Sequence, residues 1–219
     1  MKIDLVHHYN DNYQEMYNLV EPRFIEFCSL NQYDYNCVKA EGLTGGQAMY
    51  LKFAVLLNAL HKTKADYIIY LDIDILIKDP SYNIFEGYEF TKDITFSKDE
   101  YGFCCGAMIM KVSEFTKKFF DTCLFVGEHL EKNCPISNSL HEWNGQYDQG
   151  AGHDQELMKS LYFSYPNIRN NIDPDLPEGI ISNPLSTQNE KYESFAHHYW
   201  SRSSGLKNTI ARIQADLHE

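Results

Sequence analysis

No run of about 18 apolar residues occurs in the sequence, so no transmembrane helix is encoded. Basic charge is also scarce. Nineteen Lys and Arg stand against 31 Asp and Glu, a formal net charge of -12. That balance argues against nucleic acid as a partner, because a phosphate backbone needs clustered cations. An acidic chain can still take a phosphorylated small molecule if it first takes a divalent cation. No CxxC pair is present among the six cysteines, Cys28, Cys37, Cys104, Cys105, Cys123 and Cys134. Adjacent Cys104 and Cys105 are poorly spaced for a metal, and the set reads as free thiols of a reducing compartment. The opening MKIDLVHHYN turns polar too soon for a signal peptide and reads as a first strand. Repeats, low-complexity tracts and linkers are missing, which leaves one domain. With 43% hydrophobic and 14% aromatic residues, the 219-residue chain can bury a sizeable core.

Apolar spacing predicts a strand over 2–8, a helix over 12–29, a strand over 33–40, a helix over 47–62 and a strand over 66–74. Strand, helix, strand, helix, strand is the pattern of parallel βαβ units, with helices expected on both sheet faces. Residues 93–99 and 102–112 then read as strands with little between them, hence antiparallel or mixed pairing. A helix over 113–132 follows, capped by Ser113. Residues 133–152 form a long polar loop containing Trp143, a functional-loop candidate. A short helix is predicted at 153–163, irregular Pro-punctuated chain at 166–179, a last strand at 192–200, and a terminal helix or tail from Gly205.

The stretch YIIYLDIDILI, 67–77, carries Asp72 and Asp74 inside an apolar strand. Buried and unpaired, each carboxylate would cost several kcal/mol. Short motifs recur by chance, and with 15 Asp a second Asp-x-Asp does occur at 173–175, in polar Pro-rich chain where solvated acids need no explanation. The first match differs because it ends a central strand, where open α/β sheets place their ligands. On a strand, side chains two residues apart share a face at about 6.5 Å, close enough to serve one hard cation such as Mg²⁺ or Mn²⁺.

An apolar strand ending in Asp-x-Asp after two βα units resembles the GT-A-fold, nucleotide-sugar-dependent glycosyltransferases. Within that group it resembles the retaining galactosyl-, xylosyl- and glycogenin-type enzymes, and it is similar also to small algal-virus capsid glycosyltransferases. The resemblance implies a Rossmann-like, mostly parallel sheet with a smaller mixed or antiparallel part. Residues 1–100 would form a nucleotide-binding half and 101–219 an acceptor half. It implies a Mn²⁺ or Mg²⁺ cofactor held by Asp72, Asp74 and a C-terminal histidine. FAHHYW offers His197 and His198; neighbours on a strand face opposite ways, and His198 is the choice. Tyr9, at the end of the first strand, would stack on uracil. Lys52 would face the donor, with Arg202 or Lys207 at its phosphates, and Gly106 would lie beneath the donor sugar. Asp154 in GHDQELM would hold sugar hydroxyls or take the acceptor proton, with Asp148 in reserve. The partners implied are a UDP-linked sugar donor and a glycan or glycoprotein acceptor. Cytoplasmic action is expected, in the host if the chain is viral, unless the sequence is a piece of a longer protein.

Three other readings bear on the same residues. A haloacid-dehalogenase-type phosphatase places Asp-x-Asp on its first strand and follows it with Gly-Thr, whereas here it ends the third and Ile75 and Leu76 follow. A sugar-nucleotide pyrophosphorylase needs an N-terminal Gly-rich loop with Arg, which is missing. An inactive nucleotide-sugar-binding module would share every motif but would not hydrolyse a UDP-sugar.

Overall fold

The computed structural model describes residues 1–40, 45–99, 102–133, 153–174, 176, 180–182, 195–199 and 205–218. Its first half follows the predicted alternation. Strand β1 (Ile3–Asn10) leads through a 3-10 turn at Asp11–Tyr13 into helix α1 (Gln14–Asn31). Strand β2 (Asp34–Ala40), helix α2 (Gly45–Lys62) and strand β3 (Tyr67–Leu71) follow. β1 pairs in parallel with both β2 and β3, as two βαβ units require.

The remaining elements are β4 (Ile75–Ile77), β5 (Ile94–Asp99), β6 (Gly102–Lys111), α3 (Glu114–Asn133) and α4 (His153–Ser164). Then come α5 (Pro166–Arg169), β7 (Ile172–Asp173), β8 (Ile181–Ser182), β9 (Ala196–His198) and α6 (Gly205–Leu217). The central sheet runs β2-β1-β3-β6-β5-β7, and a smaller sheet runs β4-β9-β8. β6 is antiparallel to both β3 and β5, so the sheet is mixed. The molecule is thus an α/β fold with helices on its central sheet and a second small sheet beside it. Ser113 caps α3 as expected, its Oγ accepting the Thr116 N–H at 3.2 Å.

Alternation along β3 sorts the core. Ile69 and Leu71 pack with Met16, Val20, Phe24 and Phe27 of α1 and with Ile210 and Ile213 of α6. Ile68 and Tyr70 face the other way, onto Phe53 and Leu56 of α2, Phe119 and Phe120 of α3, and Met158 of α4. Both faces of the sheet are covered, which is why β3 reads as an unbroken apolar run. Among the described residues no helix is long and apolar enough to cross a membrane.

Two sequence-based expectations are corrected. The strand predicted over 66–74 ends at Leu71. Asp72 N–H makes a last bond to Gly106 C=O at 2.7 Å, and Ile75 N–H then closes a turn onto Asp72 C=O at 3.1 Å. The apolar pattern resumes in β4, which belongs to the other sheet; period and hydropathy do not register the change of pairing partner. The stretch 166–179 is not irregular throughout, because it contains α5 and β7. Asp173, of the second Asp-x-Asp, is half-buried in β7 and accepts the Tyr88 hydroxyl at 3.1 Å. Trp143 and Asp148 lie outside the described residues.

Candidate metal centre

Asp72 inherits its direction from β3. Tyr70 points toward α2, and two residues later so does Asp72, beyond the last rung of the strand. Asp74 sits past the turn, where its C=O accepts the Tyr199 N–H at 2.8 Å and so joins the small sheet. In that sheet β9 runs antiparallel to β4 with Ile75 opposite His198, which brings His198 next to the acids. One ligand atom from each of Asp72, Asp74 and His198 lies within 4.8 Å of the other two. This cluster can chelate a divalent cation.

Three observations fit it to one. His198 Nε2 stands 3.2 Å from Asp74 Oδ1, yet that oxygen is buried and makes no hydrogen bond among the described residues. The imidazole is within ion-pair range of that oxygen, and a buried carboxylate oxygen with lone pairs to spare can take a cation as a further partner. Two carboxylates and an imidazole also form a donor set suited to Mn²⁺ or Mg²⁺. Finally, Gly106 leaves the room: a Cβ there would lie 2.5 Å from His198 Cε1, 3.0 Å from Nε2 and 3.2 Å from Asp72 Oδ2. Burial alone would push the His198 imidazole down. Asp74, with Cys104, outweighs it and holds the imidazole well above its ordinary value.

Behind the acids lies a buried ion network. Lys52, only 5% exposed, places Nζ 3.1 Å from Asp72 Oδ2 and 2.7 Å from Asp154 Oδ2. It also donates to the Cys105 carbonyl at 3.3 Å. Burial disfavours the ammonium, but Asp154 and Asp72 more than compensate and raise its pKa well above the usual lysine value. Asp154 is likewise opposed by burial and is nonetheless held below the ordinary carboxylate range by Lys52. Burial raises Asp72 despite Lys52, with Asp74 and Asp154 adding repulsion. Asp72 is therefore the acid of the group that a second cation would most relieve. Tyr70 donates its hydroxyl to Asp72 Oδ1 at 2.6 Å, and the Tyr70 hydroxyl oxygen lies 3.0 Å from His8 Nδ1. Burial and the Lys52 charge lower His8 to about 4, so it is neutral near pH 7.

The structure brings Asp72, Asp74, His198, Gly106, Lys52 and Asp154 together. His197 points the other way, to Asp216 of α6 at 3.0 Å. Tyr9 is buried, with one face stacked on Tyr17 at 4.0 Å and the Lys39 ammonium 5.9 Å from its ring centre. Lys207 is exposed on α6, and Arg202 lies outside the described residues. Sequence reasoning missed Tyr70, His8, Cys104 and Tyr13. Tyr70 was legible in principle, since it precedes Asp72 by two on one strand. Tyr13 is half-buried and feels the site: burial first, then Asp74 and Asp72, raise its phenol. The five described cysteines are free thiols, as expected.

Gly106→Ala is expected to weaken Mn²⁺ binding about tenfold or more, the scale of a disturbed ligand orientation. The new methyl meets a ring, not the end of a flexible chain, so His198 must leave its place. Electron paramagnetic resonance of free Mn²⁺ checks this, and affinity equal to wild type would show that the imidazole is not needed where it stands.

No protein-family model matches the sequence, and no curated protein matches it. Solved structures do share its fold. A glycosyltransferase involved in glycosylating the major capsid of the virus PBCV-1 superimposes with a TM-score of 0.73 at 10% identity, over 98% of this chain and 100% of that one. Glycosyltransferase GlyE of Streptococcus pneumoniae gives 0.58 at 11% identity, over 100% of this chain and 62% of the other. Galactosyltransferase LgtC, solved with donor and acceptor sugar analogues, gives 0.56 at 14% identity, over 98% and 95%. At such identities the likeness is one of fold.

Proposed function

We propose that the chain is a metal-dependent glycosyltransferase that moves a hexose from a UDP-linked donor to a hydroxyl of a glycan or glycoprotein. The observation that carries this is the convergence of Asp72, Asp74 and His198 from two sheets at the carboxyl end of β3, over the space left by Gly106. That is where open α/β sheets receive ligands. The glycosyltransferases sharing the fold supply the class of reaction. Mn²⁺ or Mg²⁺, when bound there, would neutralise charge developing on the leaving diphosphate.

The chain's own residues then divide the work. Residues 1–100 would hold the nucleotide and 101–219 the acceptor, with β6 and β9 returning to complete the metal centre. Tyr13 is better placed than Tyr9 to receive the base, because one face of Tyr9 is already taken by Tyr17. Arg202 or Lys207, which follow His198 in the chain, would meet the donor phosphates. Lys52 keeps Asp154 ionised, and an acid so held is a poor proton acceptor but a good hydrogen-bond acceptor. Asp154 is therefore assigned to orienting the sugar hydroxyls.

Isothermal titration of UDP with and without Mn²⁺ tests the reading. Binding is expected only with the metal, accompanied by slow Mn²⁺-dependent hydrolysis of a UDP-hexose. Metal-dependent binding without hydrolysis would identify an inactive binding module instead, and no UDP binding in either condition would defeat the proposal.

A further inference from the structure

The strand that carries Gly106 also carries a residue that no part of the proposed reaction uses. Cys104 is 5% exposed, and its Sγ lies 3.7 Å from Nδ1 of His198, on the side of the ring away from the acids. The same sulfur accepts the Gly106 N–H at 3.4 Å. Its position is the product of a break in register. Phe96 of β5 pairs with Met108, but the next residue, Ser97, pairs with Cys104. Cys105, Gly106 and Ala107 are thus left without partners on β5, and the chain bulges toward His198. Ser97 anchors the near end of the bulge by donating its hydroxyl to the Cys104 carbonyl at 3.2 Å.

A histidine that serves a cation through one ring nitrogen must carry its proton on the other. The partner of that second nitrogen decides both the tautomer and the angle of the ring. Here Nε2 faces Asp74 and Nδ1 faces Cys104. A carboxylate or a carbonyl is the usual partner; among the described residues the hydrogen-bonding atom at Nδ1 is a sulfur. We propose that Cys104 is the positioning residue of His198: its sulfur accepts the Nδ1 proton, fixes the ring in the plane that turns Nε2 toward Asp72 and Asp74, and so sets the affinity for the divalent cation. This role rests on the metal reading above. It adds that the centre depends on a thiol which does not touch the ion.

The test uses the whole chain without nucleotide. Mn²⁺ affinity is read by electron paramagnetic resonance for wild type, Cys104→Ala and Cys104→Ser, and the Nδ1 ¹⁵N resonance of His198 is followed in the metal-free proteins. Cys104→Ala should weaken Mn²⁺ about 10-fold or more and shift the Nδ1 resonance. Cys104→Ser should recover part of both, since its hydroxyl is also an acceptor. Thermal unfolding should stay close to wild type in the serine variant, which separates a lost hydrogen bond from a collapsed core. Equal Mn²⁺ affinity in wild type and Cys104→Ala, or an unmoved Nδ1 resonance, would overturn the role of Cys104 alone. Absence of Mn²⁺ binding by the wild type would overturn the metal reading and this role with it.

Discussion

Asp74→Ala is expected to lower Mn²⁺ affinity at least about 100-fold, more than the loss of an outer-shell partner costs, and to reduce UDP binding in Mn²⁺ to its metal-free level. Two effects add. The variant removes one of three ligands, and it removes the negative charge that now faces His198 Nε2 at 3.2 Å. Without Asp74, burial dominates the imidazole, so His198 becomes neutral but no longer has a carboxylate beside it to share an ion. The backbone should survive, because Asp74 bonds the small sheet through its carbonyl, which alanine keeps. Isothermal titration with Mn²⁺ and then UDP measures both effects. Wild-type affinities in Asp74→Ala would remove this corner from the function altogether.

The same pair sets a pH dependence. In the metal-free protein Asp74 and Cys104 hold His198 protonated well above its ordinary value. An incoming cation must displace that proton, so Mn²⁺ affinity rises with pH until His198 has titrated, by up to about tenfold per pH unit for one proton released. In Asp74→Ala that dependence should flatten near neutrality. A wild-type affinity that does not change between mildly acidic and mildly alkaline solution would mean that no proton leaves on binding.

Lys52→Met is expected to cause the largest loss of stability, about 3–5 kcal/mol by analogy with other buried ion pairs broken on one side. Methionine fills much the same volume, so the buried position beside the Tyr70 ring stays occupied. The damage is electrostatic: Asp72 and Asp154 share this ammonium at 3.1 and 2.7 Å, and both lose their counter-charge together. Chemical denaturation of the metal-free protein at pH 7 reads the loss directly. Mn²⁺ should restore part of it, since a cation at Asp72 and Asp74 replaces some of the missing charge and binds only the folded state. Asp154 supplies a sign check. Its folded pKa lies below the unfolded value, so its contribution is fully present above about pH 4 and is lost as pH falls through the folded pKa. Without Lys52 that contribution disappears, and the variant should lose less stability than wild type on acidification. A Lys52→Met protein as stable as wild type would show that the two carboxylates are satisfied by other groups.

Much of this arrangement is written locally. The apolar run of β3 requires cover on both sides, and the residues that alternate along it do divide between α1 and α2. A pair of acids at the end of such a run has to meet charge, whichever charge that proves to be. Periodicity therefore placed the first three strands and two helices, with Asp72 at their carboxyl edge and Lys52 inside the second helix. These inferences hold because burial per residue is a short-range pattern, repeated every two or nearly four positions.

Pairing across the chain is not encoded that way. Only the fold decided that the strand breaks after Leu71, so that Asp72 and Asp74 stand in the turn between β3 of one sheet and β4 of the other, and that His198 rather than His197 turns inward. It also decided that three residues of β6 bulge out to carry Cys105 and Gly106 into the site, and that one ammonium bridges Asp72 and Asp154. Each of these joins groups far apart in sequence, through register and the absence of a single Cβ. Hydropathy is indifferent to both, and only the packed sheets select among them.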